Sequence, residues 1–130
     1  MSGSANKRQT GNLGEDAVCA YLVQRGAEIL CRNFTIRGGE IDIIARQGEW
    51  LLFVEVKTRR PGAMVSGAAA VDAKKQRFLI RAAEQYLLKN PCDLQPRFDV
   101  AEAEYTGGFV RHIEYLENAF DATGYATQCL

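Results

Sequence analysis

Long apolar runs are missing from this chain of 130 residues, and none approaches the roughly 20 residues that a membrane-spanning helix requires. A helical membrane protein is excluded, and no membrane partner is expected. Residues 1–8 also lack the apolar core of a signal peptide, which points to a cytoplasmic protein. Cysteine is scarce and scattered at positions 19, 31, 92 and 129, with no C-x-x-C pair, so neither a zinc site nor a redox motif is indicated. These read as small core hydrophobes or free thiols. The single histidine, His112, lies in an alternating segment and reads as a surface or packing residue rather than a ligand. Neither sign of charge is in excess, with 16 Lys and Arg against 16 Asp and Glu.

That balance is uneven along the chain. Lys57 to Arg81 holds seven basic residues and one acidic one, whereas residues 82–130 hold three basic and eight acidic. Attraction to a polyanion depends on a local patch rather than on the sum, so nucleic acid stays in view.

The richest information lies in two short strings, Gly39-Glu40-Ile41-Asp42-Ile43-Ile44-Ala45 and Leu51-Leu52-Phe53-Val54-Glu55-Val56-Lys57. Both look like buried strands, and charges two residues apart on a strand share a face. Between them, Gly48-Glu49 suits the centre of a II′ hairpin turn, which takes Gly first. Counting back from that turn sets Gln47 against Trp50, Ile44 against Phe53, Asp42 against Glu55 and Glu40 against Lys57. Opposed carboxylates repel, and a hard divalent cation such as Mg²⁺ relieves them.

Around this hairpin the chain reads as one α/β domain of residues 10–118, with a disordered tail at 1–9 and a C-terminal tail at 119–130. Asn12 and Glu15 have capping-box spacing, so the first helix is expected from about Leu13 to Arg25, stopping at Gly26. A strand over 29–36, the hairpin strands over 40–46 and 50–58, and a Gly- and Pro-bearing loop over 60–67 follow. Asp72 can cap a second helix that runs to about Lys89, and strands are expected over 97–105 and 110–116. The order α-β-β-β-α-β-β describes a mixed β-sheet flanked by helices. On the second helix Lys74, Arg77 and Arg81 share one face, and Arg59 and Arg60 add a mobile basic rim, groups that would neutralise phosphates without reading sequence.

Glu15, the Gly39-Glu40-Ile41-Asp42 string, Phe53-Val54-Glu55-Val56-Lys57-Thr58-Arg59 and Arg97-Phe98-Asp99-Val100 together resemble the YraN family (UPF0102) of small bacterial proteins. That family is similar to the PD-(D/E)XK nucleases, and within them to the archaeal Holliday junction resolvases. The resemblance spans roughly residues 10–118 and implies a restriction-endonuclease-like core with a metal-dependent endonuclease activity on DNA, branched or junction DNA by analogy. It makes Asp42 the metal-binding aspartate, Glu55 the second acidic ligand, the carbonyl of Val56 a third, and Lys57 the motif lysine. Glu15 becomes the first-helix glutamate that reaches toward the metal, Mg²⁺ or Mn²⁺, which is expected to bind weakly without substrate. Ile41 stands where the motif's name has proline. A homodimer is the assembly of the resolvase-like relatives.

Other readings of the same residues exist. Glu15 can be half of the capping box, Glu40 either a catalytic residue or the ion-pair partner of Lys57, and Asp99 the partner of Arg97. A nucleic-acid-binding module that does not cut, and a protein-interaction scaffold, are the alternatives to the nuclease.

Overall fold

At the hairpin turn Gly48 takes φ 59° while Glu49 keeps a negative φ, the combination a II′ turn asks for. The ladder set by this turn pairs Gln47 with Trp50 and Ile44 with Phe53 as expected, and it ends at Ile43–Val54. The structure, a computed structural model, describes residues 7–63 and 71–122, with side chains from residue 11 onward. The end of the expected loop at 60–67, the tip of each expected tail and Cys129 lie outside the described residues.

The element order is the expected one: α1 (Lys7–Gln24), β1 (Glu28–Ile36), β2 (Gly39–Gln47), β3 (Trp50–Arg59), α2 (Ala73–Lys89), β4 (Gln95–Thr106) and β5 (Phe109–Phe120). The five strands lie in the order β1-β2-β3-β4-β5, antiparallel except for β3 and β4, which run parallel across the α2 connection. An α/β fold with a mixed sheet between two helices results, consistent with a restriction-endonuclease-like core. Val18 and Leu22 of α1 pack on Ile43, Ala45, Leu52, Val54 and Ala101. Phe78, Leu79, Ala82 and Tyr86 of α2 cover the other face, on Ile41, Ile44, Phe53 and Phe98. Strand β3 is therefore buried from both sides. No helix among the described residues is long and apolar enough to cross a membrane.

Two boundaries differ most from the sequence reading. The first helix begins at Lys7, so Asn12 is interior and no capping box forms, and residues 7–9 of the expected tail are helical. Glycines 11 and 14 weaken the helical pattern locally, but Gly14 is there for packing: a Cβ on it would overlap the Thr58 hydroxyl. The helix does stop at Gly26, at φ 89°, where Ala27 N–H donates to Leu22 O and Gly26 N–H to Val23 O. Strand β5 runs on to Phe120, because a kink at Asn118 (φ 52°) returns it to β4 and stacks Phe120 on Phe98 at 4.9 Å.

Candidate functional site

Beyond Ile43 and Val54 the two hairpin strands part. Strand β2 goes on pairing with β1 as far as Ile36–Gly39, and β3 goes on pairing with β4 as far as Arg59–Glu104. Asp42 occupies the fork and accepts the Val56 backbone N–H at 2.8 Å. Its carboxyl also hydrogen-bonds that of Glu55, the expected neighbour, although the ladder ends one rung before the two.

The fork gathers further carboxylates. Oxygens of Glu15, Glu40 and Asp42 lie within 4.8 Å of one another. Asn33, in the left-handed region at φ 55°, donates its amide to Glu15 at 3.1 Å and to Glu40 at 3.2 Å, joining α1 to β2. Arg32 pairs with Asp16 at 2.8 Å and reaches Glu15 at 3.5 Å. Oxygen donors gathered in this way suit a hard divalent cation. The pocket beside them, of about 310 Å³, is lined by Gly11, Asn12, Glu15, Asn33 and Glu40.

Electrostatics mark Asp42 as the strained member. Its pKa is pushed up to about 8, first by burial, then by the hydrogen bond and charge of Glu55, with Glu15 adding to them and only the Val56 N–H opposing. Near neutral pH Asp42 therefore holds a proton unless a cation replaces it.

Glu55 itself is 4% exposed at its side chain and faces two ammonium groups, Lys57 at 3.6 Å and Lys75 at 3.3 Å from the same oxygen. Lys57 therefore takes Glu55 as partner, not Glu40, since the ladder never reaches the Glu40–Lys57 level. The part of Val56 turned to Asp42 is its N–H.

Alongside, a groove of about 560 Å³ is lined by Gly38, Asp72, Lys74, Lys75, Arg77, Phe78 and Arg81, so the three expected helix cations do come together. Its wall needs glycine: at Gly39 (φ 153°) a Cβ would press on the Phe78 ring at 3.0 Å. Arg60 is exposed, but Arg59 is no mobile rim, because buried Glu102 holds its Nε at 3.3 Å. Asp99 is structural. Arg97, Tyr115 and the Asn118 N–H occupy its oxygens at 2.6–2.9 Å.

Asn33, Lys75 and Glu102 escaped the sequence reading. Asn33 between Arg32 and Phe34 breaks an apolar strand pattern, the one available hint. Lys75 stands outside the i, i+3, i+7 spacing of Lys74, Arg77 and Arg81, and Glu102 is one acidic residue among many in its half of the chain.

Residues 14–102 match the model of a family described as Uncharacterised protein family UPF0102. The chain belongs to that family. Its similarity to curated UPF0102 proteins runs nearly end to end. It is 43% identical over 124 residues to one from Synechococcus sp. (strain JA-3-3Ab), covering 90% of this chain and 93% of that one. Identity is 44% over 116 residues with that of Syntrophotalea carbinolica, covering 88% and 94%, and 36% over 129 residues with that of Pseudomonas paraeruginosa, covering 94% and 100%. This UPF0102 match takes in Glu15, Asp42, Glu55, Lys57 and Lys75, so every charged group of the fork lies inside the matched span.

Proposed function

We propose that the chain is a metal-dependent endonuclease that hydrolyses DNA phosphodiesters. The reading rests above all on the fork: Asp42 is held against Glu55 despite their repulsion, with Lys57 and a cationic groove alongside. Asp42 and Glu55 would hold Mg²⁺ or Mn²⁺, with Glu15 and Glu40 on the open side and the Val56 carbonyl as a further donor. When bound, such an ion polarises a phosphoryl oxygen and acidifies a water. Lys57 then stabilises negative charge on the phosphate or orients the attacking water. Lys74, Arg77 and Arg81 grip flanking phosphates, and because they touch no base they set affinity rather than sequence preference. Branched or junction DNA, and a dimer to match its two-fold symmetry, come from the family analogy alone.

A cleavage assay on linear, flapped and four-way DNA with Mg²⁺ or Mn²⁺ tests this. The parent should cut, and Asp42→Ala and Glu55→Ala should not. Salt-dependent DNA binding without cutting on any substrate would leave a binding module, and the absence of both would leave a protein-interaction scaffold.

A further inference from the structure

Lys75 belongs to two environments. Its ammonium lies 3.3 Å from Glu55 Oε2, and the same side chain lines the groove with Lys74, Arg77 and Arg81. Its Nζ also sits 5.2 Å from the centre of the Phe78 ring, so the ring supports it between the two. Lys57 shares that Glu55 oxygen at 3.6 Å but does not line the groove.

A buried carboxylate needs a counter-charge, and Glu55 has two. A divalent ion brought to the same oxygen would meet both ammonium groups at a few ångströms, where like charges in a partly desolvated site repel strongly. One of them has to leave before the ion is well held. Lys57 has no second anion within the groove, whereas Lys75 has one whenever a phosphate lies there.

We infer that Lys75 couples substrate to cation: in the free protein it neutralises Glu55, and a DNA phosphate in the groove draws it away and releases Glu55 to the ion. This rests on the nuclease reading and adds its order of assembly, with DNA binding and cation binding strengthening each other reciprocally. A premature ion is disfavoured, and so is a metal-loaded site without substrate.

The test is a Mn²⁺ titration of the full chain, followed by electron paramagnetic resonance, with and without a phosphorothioate duplex that is not cut. In the parent, DNA should tighten Mn²⁺ binding by about tenfold, a usual size for coupling between sites. Lys75→Met and Lys75→Gln should bind Mn²⁺ more tightly than the parent without DNA and lose most of the DNA-dependent gain, while Lys75→Arg keeps it. Circular dichroism confirms that each variant is folded, and two variants of different polarity guard against a fault of either one. If Lys75→Met and Lys75→Gln keep the parent's gain, Lys75 only balances the charge of Glu55, and the coupling is overturned while the nuclease reading stands. If the parent binds no Mn²⁺ with or without DNA, the cation site and the coupling fall together.

Discussion

Asp42 takes the backbone N–H of Val56 at the point where β2 and β3 stop pairing. The hydrogen bond replaces a rung of the ladder with a side chain, and so fixes a carboxylate inside the sheet rather than above it. This position is what buries Asp42, and burial is the first cause of its raised pKa.

This group should therefore contribute a pH dependence to stability. With a folded-state pKa of about 8 against an ordinary 3.8, Asp42 is protonated in the fold but ionised in the unfolded chain between those values. Its contribution is complete below about pH 4 and is lost as pH rises toward 8. Asp42→Asn removes the dependence, so it should raise the melting temperature at pH 8, at roughly 4 °C per kcal/mol for a chain of this size, and change little at pH 4. The same variant should not cut DNA. Thermal unfolding at the two pH values, without divalent ions, decides it, and a variant no more stable than the parent at pH 8 would contradict the assignment.

Gly14 should be intolerant of a single methyl group. The Cβ of Gly14→Ala would meet the Thr58 hydroxyl, forcing α1 off the sheet and Glu15 away from the fork. Overpacking of this kind costs about 1–3 kcal/mol. Because the hydroxyl is the nearest obstacle, Thr58→Ala should restore much of the loss in the double variant, as urea unfolding would show.

Asn33 separates backbone from side chain. Asn33→Gly keeps the left-handed conformation at φ 55° but deletes the amide that joins Glu15 to Glu40. Asn33→Ala deletes the amide and adds a strain of about 1–2 kcal/mol. Both should weaken Mn²⁺ binding alike, and only the alanine variant should show the added loss of stability.

The groove cations should act on binding alone. Replacing Lys74, Arg77 and Arg81 with alanine should weaken DNA binding for every sequence and flatten the log–log dependence on salt by up to about 0.9 unit for each phosphate deprived of its cation. Asp42→Ala should bind at least as well as the parent. A triple variant that binds normally would make this face solvated surface.

The centre of the site was legible because it is local. A Gly-first turn fixes register, register fixes which carboxylates meet, and the Asp42–Glu55 pair followed from Gly48-Glu49 by counting. The count failed one step further, at Glu40 and Lys57, because the strands diverge and no local pattern announces a fork. Pairings across long stretches of sequence were likewise hidden. Lys75 meets Glu55 and Asn33 meets Glu15 only once the helices lie on the sheet, and Arg59 meets Glu102 only once β4 pairs with β3. Asn12 misled for a related reason: its spacing to Glu15 fits a cap, but the helix had already begun.

The order of the strands carries a consequence for synthesis. Translation delivers Glu15, Asp42, Glu55, Lys57 and the basic helix face by residue 81, yet β3, which bears Glu55 and Lys57, is paired on its far side by β4, whose residues 95–106 come later. A nascent chain on the ribosome thus holds all the charged groups of the fork while their central strand is still an open edge. Ribosomal and messenger RNA, the polyanions nearest to it, are met by a chain whose site is not yet assembled.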